Sequence, residues 1–370
     1  MLKAPMNILF VSDLHYLPQG SGGCQSLIHE IAIELRERGH HPSVLVPLDY
    51  RGAFGFRNRV LMKLLNRKTI RDGGLGYPVY RRWFVSRDLD DAVAMIRPDV
   101  AIATTRDAVG IAKELLRLSI PTIAYFQDID FIQLSGNPSE LRNVRFMTNS
   151  QFTERWYKEK YGIDSTVMTP LIRADRYRTT RAPANVTMIN PHPKKGGNLA
   201  IEIARRCPEI PFCLVEAWEL QDDHKKVLLD QIRDLKNVTL KPRTDDMKSV
   251  YRHAKILLAP SICEEAWGRV VSEAHINGIP VVASNRGGLP EAVGTGGVVL
   301  DPKDAVEKWV EAVKRLWSDA DYYREKSEAA LSCSVHLELE KTKQIETLLS
   351  VLRDTVTSHR APPAGQQTAA

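Results

Sequence analysis

Short apolar runs alternate with amphipathic stretches along nearly the whole chain. Asn7 to Ser12 is apolar almost without interruption, and Ser43 to Pro47, Val100 to Ala103, Thr122 to Phe126 and Phe146 to Ser150 repeat the pattern. Unbroken runs of this length predict strands buried on both faces, the habit of parallel sheets. Helical periods lie between them. Cys24 to Arg38 carries Leu27, Ile28, Ile31, Ala32 and Leu35 at helical spacing, and Gly39 stops it. Further helices are predicted over Asp88–Ile96, Ala108–Leu118 and Thr153–Tyr161. The pattern restarts with strands at Val186–Ile189, Phe212–Glu216, Val238–Leu240, Ile256–Ala259 and Val281–Ala283. Helices are predicted between them over Asn198–Cys207, Asp223–Leu235 and Thr244–His253. After Pro302 the spacing predicts helices over Ala305–Trp317, Tyr322–Ala330 and Leu337–Leu352. The fold class is therefore α/β, with two doubly wound domains, and 370 residues suit that number. The first domain is expected over 1–177, a polar linker over 178–185 and the second domain over 186–330. A closing helix over 331–358 and a disordered tail over 359–370 complete the chain.

One stretch organises the second half: APSICEEAWGRVVSEAHINGIPVVASNRGGLPEAVGTGGVVLDP, residues 259–302. It reads as strand, loop, helix, strand, loop, helix. Glu264 and Glu265 lie in the first loop, and Gly268 starts a short helix that carries Glu273. Gly278 and Pro280 end that helix, Gly287-Gly288 turns, and Pro290 opens the next helix. A helix start offers unpaired N–H groups and the positive end of a dipole, which suits phosphate. A carboxylate in the loop before it can accept hydrogen bonds from sugar hydroxyls. A second carboxylate two turns into the helix can reach a ribose diol. Sugar, diphosphate and ribose in line make a nucleotide sugar. The plainer alternative is a buried αβ unit with an acidic loop.

These residues resemble the signature of the retaining GT-B glycosyltransferases, the family-four (glycosyltransferase group 1) type. The resemblance is tight over 259–302, looser over 7–47 and 186–206, and faint over 51–87. It implies a GT-B fold, two Rossmann-like domains facing a cleft, with the last helix crossing back to the first domain. It implies transfer of a hexosyl unit from a nucleotide diphosphate sugar to a hydroxyl acceptor that is a saccharide, lipid-linked or a natural product. The donor diphosphate would meet Lys194, Lys195 and the amides of Gly268, Arg269 and Val270. Glu265, with Ala266 and Trp267, would hold the donor sugar, and Glu273 the ribose. Gly22 and Gly23, in the loop LPQGSGG before the Arg38-Gly39-His40 string, would let backbone amides approach the diphosphate or acceptor. Trp218 and Thr244 would lie beside the nucleoside. Lys195 and Glu265 would take the catalytic roles, with Asp128 orienting the acceptor hydroxyl, although an N-cap or turn role for Asp128 is equally open.

Two positions depart from the family pattern. Gln127 stands where many relatives have a histidine, and Asn190 where most have an arginine. Arg243, on the next loop of the same sheet edge, is our candidate to replace that lost charge. A nucleotide-sugar epimerase or phosphorylase on the same fold, and a non-catalytic donor-binding protein, are the competing readings. Two Asp-x-Asp strings occur, Asp88/Asp90 and Asp128/Asp130; such short acidic pairs are common, Asp88 and Asp90 are read as the start of a helix, and no metal and no cofactor is expected.

Charge changes the picture in one place. The formal net charge is +6, which fits an anionic ligand or a membrane surface, and no nucleic-acid motif is present. Residues 51–87 carry ten Arg or Lys against one acid, Asp72. A helix over Phe54–Lys68 would gather Phe56, Val60, Leu61, Leu64 and Leu65 on one side. Either that side packs on the sheet with the basic side solvated, or the helix lies on an anionic membrane through 54–68. No apolar run is long enough to span a bilayer, and no signal peptide is read. Five scattered cysteines without a CxxC pair argue against zinc or a disulfide framework. A reduced cytoplasmic protein is expected, at the inner face of the membrane if the basic segment docks there.

Overall fold

The computed structural model describes residues 4–129, 132–217 and 222–360. They form two compact units, Met1–Thr169 with Thr342–Ala370, and Pro170–Lys341. The first unit contains β1 (Asn7–Ser12), α1 (Gly23–Glu37), β2 (His41–Pro47), α2 (Gly52–Leu64), β3 (Ile70–Asp72), β4 (Val79–Arg82), α3 (Asp90–Ile96) and β5 (Val100–Thr104). It continues with α4 (Ala108–Arg117), β6 (Thr122–Phe126), β7 (Val144–Thr148), α5 (Gln151–Tyr161) and β8 (Thr166–Val167). Its sheet has the order β3-β4-β2-β1-β5-β6-β7-β8. Every pairing is parallel except that of β3 with β4.

The second unit contains α6 (Ala174–Tyr177), β9 (Asn185–Ile189), α7 (Gly197–Arg205), β10 (Phe212–Val215), α8 (Asp222–Ile232), β11 (Val238–Lys241), α9 (Met247–His253) and β12 (Ala254–Ala259). Then come α10 (Arg269–His275), β13 (Val281–Ser284), α11 (Leu289–Val293), β14 (Gly297–Leu300), α12 (Val306–Ser318) and α13 (Ala320–Arg360), whose last part belongs to the first unit. The second sheet is parallel throughout, in the order β11-β10-β9-β12-β13-β14. The chain runs outward from β9 to β11 and then returns to β12 on the other side of β9. The loops after β9 and β12 therefore leave the sheet side by side, at a topological switch point, where open α/β sheets bind ligands.

The inner strands β9, β10, β12 and β13 are buried on both faces because their residues alternate between two cores. Ile256 and Leu258 pack with Ile201, Phe212 and Trp309. Leu257 and Ala259 pack with Tyr251, Val271 and Leu289. Burial of a side chain of this size is worth about 1.5–3 kcal/mol.

Two expectations need correction. Residues 170–177, expected in the first domain, belong to the second unit. Ile172 and Tyr177 bury their side chains against Tyr251, Trp267 and Val271. The expected linker is also tied down there. Arg181 donates to the carbonyls of Gly278 and Ala254, and Thr179 N donates to Asn277 Oδ1. The two helices expected after residue 320 are one, α13, since no Gly or Pro falls between 320 and 360 to break it. The helix takes in the start of the expected tail, with His359 bonded to the Ser119 carbonyl. Residues 361–370 lie outside the described residues.

The structure also decides the orientation of α2, which the sequence left open between two readings. It packs through Gly55, Asn58 and Met62, and it leaves Phe56, Val60 and Leu64 exposed. At Gly55 a Cβ would lie 2.3 Å from the Asp49 carbonyl, so the helix sits close on the chain that leads into it. Met62 joins Leu48, Ile70 and Phe54 in a small cluster of its own. The apolar side anticipated from spacing is therefore the outward one.

Candidate functional site

Lys195 ends the turn after β9, and Glu265 lies in the loop after β12. The switch point puts them together, with Lys195 Nζ 2.7 Å from Glu265 Oε1. Ser261 Oγ donates to the same oxygen at 2.5 Å. Both charged side chains are largely covered, at 16% and 18% exposure, so the pair sits in a weakened dielectric with one edge toward solvent. Glu264, beside it, faces Arg286 instead.

The backbone around this pair is stitched across three strand ends. The Lys194 carbonyl accepts from the amides of Ile262 and Cys263, and Gly288 N donates to the Glu265 carbonyl. Two glycines permit the approach. Gly196 has φ +82, and a Cβ there would lie 1.9 Å from the Pro260 carbonyl oxygen. Gly287 has φ +59, and its Cβ would lie 2.0 Å from the Glu265 carbonyl oxygen. Only glycine meets both the left-handed backbone and the contact.

Glu273 is buried on α10. Its Oε2 accepts from the Tyr251 hydroxyl at 2.7 Å, and Arg269 lies at 3.7 Å from Oε1. Burial, reinforced by the Glu273 carboxylate, pushes the Tyr251 phenol well up, so it remains a proton donor. Gly268 caps α10 with left-handed backbone, and the amides of Gly268, Arg269 and Val270 lie at that turn. The Arg269 side chain is used elsewhere. Its guanidinium donates to the Leu171 carbonyl and the Tyr177 hydroxyl rather than standing clear for the expected diphosphate role. Trp267, expected against the donor sugar, is instead a core residue whose indole N–H donates to Ser272 Oγ. Ala266 remains half-buried in the loop.

The other expected residues are dispersed. Arg243 follows β11, two strands from β9, which is about 10 Å at ordinary strand spacing. Thr244 Oγ1 accepts from Asp246 N and shapes the turn into α9. Trp218 lies outside the described residues. In the first unit, Gly22 and Gly23 stand at the start of α1. Asp128 Oδ1 accepts from the amide of Ile129. Asp88 and Asp90 are engaged by Lys68 and Arg117, and Asp130 is outside the described residues.

Several residues escaped the sequence reading. Asn190, noted only for the charge it lacks, has left-handed backbone at φ 65, and its buried Oδ1 meets no partner. His192 Nδ1 accepts from Lys194 N, and its ring packs edge-on against His224. Burial, with His224 and the two lysines behind it, lowers the His192 pKa. A histidine inside NPHPKKGG was the available signal. At the first sheet's own switch point, between β1 and β5, Thr105 adopts φ 78 while its hydroxyl engages Ser12 and Asp13. For a β-branched residue that backbone is strained, a feature that clusters at functional sites. Gln127 sits nearby, just past the end of β6, its amide donating to Thr104 Oγ1 and its own Oε1 buried without a partner.

His275, two residues after Glu273, is fully buried, and burial lowers its pKa to about 4. The native state therefore holds it neutral. Below the ordinary value of 6.5 the unfolded chain takes up a proton that the native state refuses. Its contribution is intact above pH 6.5 and is lost as pH falls toward 4, by roughly 3 kcal/mol in all. His275→Gln should thus shrink the drop in urea midpoint between pH 7 and 4.5 relative to the parent.

Residues 200–319 match the family described as glycosyl transferases group 1. The D-inositol 3-phosphate glycosyltransferase of Corynebacterium kroppenstedtii is 42% identical over 85 residues, covering 22% of this chain and 18% of the relative. That of Mycobacteroides abscessus is 33% identical over 181 residues, covering 46% and 39%. The matches thus span less than half the length of these curated relatives. Among solved structures, a glycosyltransferase from Rickettsia africae superposes with a TM-score of 0.75 at 16% identity, covering 94% of this chain and 98% of that one. Anabaena HepE, solved with UDP and glucose, gives 0.71 at 20% identity, covering 93% and 100%. Residues 200–319 thus match the group 1 glycosyltransferase family, and the chain as a whole shares the GT-B fold of these solved structures.

Proposed function

We propose that the chain transfers a hexosyl unit from a nucleotide diphosphate sugar to a hydroxyl acceptor, with retention at the anomeric carbon. The observation that carries this reading is the Lys195–Glu265 pair, held with Ser261 at the second sheet's switch point. Lys195 supplies positive charge to the departing diphosphate, and Glu265 accepts hydrogen bonds from donor-sugar hydroxyls. Glu273, braced by Tyr251, takes the ribose. The acceptor oxygen bonds to the anomeric carbon on the face the diphosphate leaves. The breaking C–O bond gives its electron pair to the phosphate oxygen, which takes the acceptor's proton. The protein contributes positioning and charge stabilisation rather than a nucleophile. Support comes from HepE, a neighbour of the same fold solved with UDP and glucose, and from relatives named for transfer to an inositol phosphate.

Thermal shifts against nucleoside diphosphates and their sugars, with and without added divalent metal, test the donor site. One nucleotide should raise Tm without metal. Glu273→Ala should abolish the shift, and Glu273→Gln, which keeps a partner for Tyr251, should reduce it. Absence of a shift with every nucleotide would overturn the donor assignment. A shift without turnover against any acceptor would favour a non-catalytic binding protein, and turnover of the donor with no acceptor present an epimerase.

A further inference from the structure

Residues 50–87 present a surface that the proposed transfer does not use. On α2, Phe56, Val60 and Leu64 recur every four residues, so they form one stripe, and all three are exposed, Leu64 at 75%. Leu65, just past the helix, is exposed beside them. The packed side of the helix, Gly55, Asn58 and Met62, lies on the opposite face. β2 and β4 are paired neighbours, and Tyr50, Trp83 and Phe84 stand exposed just beyond their C-terminal ends. The close contact of Gly55 with the Asp49 and Tyr50 backbone sets the start of α2 against the same strand ends.

Cations flank the apolar stripe. Arg59 and Lys63 fall on one side of it and Arg57 on the other, all exposed, with Arg67 just beyond. None of the four has a carboxylate partner among the described residues, whereas Arg51 and Lys68 are paired with Asp49 and Asp88. The one acid of 51–87, Asp72, is taken by buried Arg81. Arg59 and Arg87 lie over the Phe56 and Phe84 rings, at 5.7 and 4.2 Å. The surface thus joins an apolar stripe, interfacial aromatics and uncompensated positive charge.

We propose that α2 and the adjoining ends of β2 and β4 dock on an anionic lipid surface. A helix lying in the interface buries an apolar stripe below the headgroups, and its basic flanks meet lipid phosphates. Tyr and Trp favour that depth because their rings are apolar and their tips polar. A second copy of this chain fits less well. A twofold contact sets the same patch against itself, and these cations would face one another without acids between them. Among the described residues no helix is long and apolar enough to cross a membrane, so the contact is peripheral.

Sedimentation of the full chain with phosphatidylcholine vesicles, with and without phosphatidylglycerol, tests this independently of the donor site. Binding is expected only to the anionic vesicles and should weaken steeply as salt is raised. Arg57→Gln/Lys63→Gln/Arg67→Gln should lower the partition coefficient about 100-fold, roughly fivefold per cation. Phe56→Ser/Leu64→Ser should lower it at least tenfold. These side chains are exposed, so thermal melts of both variants should match the parent. Absence of binding to anionic vesicles, or equal binding to neutral ones, overturns the proposal. So does binding that ignores the Phe56/Leu64 change, which would mark a soluble polyanion as the partner. A dimer that the Phe56/Leu64 change dissolves, with no vesicle binding, would assign the face to self-association and overturn it equally.

Discussion

Gly196→Ala is expected to cost about 2–5 kcal/mol, read as a fall in the urea midpoint of the second unit. Two effects add. A left-handed backbone penalises any Cβ by about 1–2 kcal/mol. This Cβ would also lie 1.9 Å from the Pro260 carbonyl, and forcing atoms into a packed site costs about 1–3 kcal/mol. The obstacle is backbone, so no side-chain rotation relieves it. Gly39→Ala is the matched control. Gly39 shares φ +82, but a Cβ there meets nothing within 4 Å, so it should cost only the backbone share. Equal costs at the two positions would refute the close-approach explanation. The relief available at Gly196 is a shift of the 191–196 loop away from β12. Nucleoside diphosphate binding should therefore fall along with stability, since Lys195 rides on that loop.

Lys195→Met and Glu265→Gln should separate the two halves of the ion pair. Lys195→Met is expected to lower turnover by about 10²–10³-fold, the loss typical of removing one charge-stabilising donor, and to weaken nucleoside diphosphate binding as well. Glu265→Gln should lower turnover too, because the sugar loses a charged acceptor. Its effect on the bare nucleoside diphosphate should be opposite in sign. With Glu265 neutral, Lys195 no longer spends its charge on a carboxylate 2.7 Å away, and the diphosphate should bind as tightly or more tightly. Calorimetric titration with the nucleoside diphosphate, beside turnover with the sugar donor, reads both. Equal loss of affinity in the two variants would make the pair a structural brace and remove Lys195 from the phosphate.

The sequence made the parallel sheets legible because their strands are short, apolar and bounded by Gly, Pro and amphipathic helices. Lys195 and Glu265 were recognisable one by one from their loops. That they touch follows from the strand order β10-β9-β12, a non-local pairing that no local pattern encodes. Trp267 was placed at the donor sugar through the resemblance, as a neighbour of Glu265 in the same loop. Its burial depends on Val271, Leu289 and the distant Ile172 and Tyr177 packing in one core. The same long-range packing explains the boundary error at 170–177. The orientation of α2 was left open for a related reason. Spacing identified the Phe56–Val60–Leu64 stripe correctly, but which side meets the protein was decided by the close fit at Gly55. Periodicity reports that a helix has an apolar side and not what covers it.

The closing helix has a topological consequence. Because α13 carries its last residues into the first unit, the chain passes between units twice, after Thr169 and after Lys341. One protease nick at either crossing leaves the halves covalently joined through the other, so their release takes two cuts. The second unit is a single uninterrupted stretch, 170–341, and a gene fragment can encode it directly. The first unit is discontinuous. Producing it alone requires a bridge from Thr169 to Thr342, or a circular permutation that brings the helix segment from 342 onward ahead of β1.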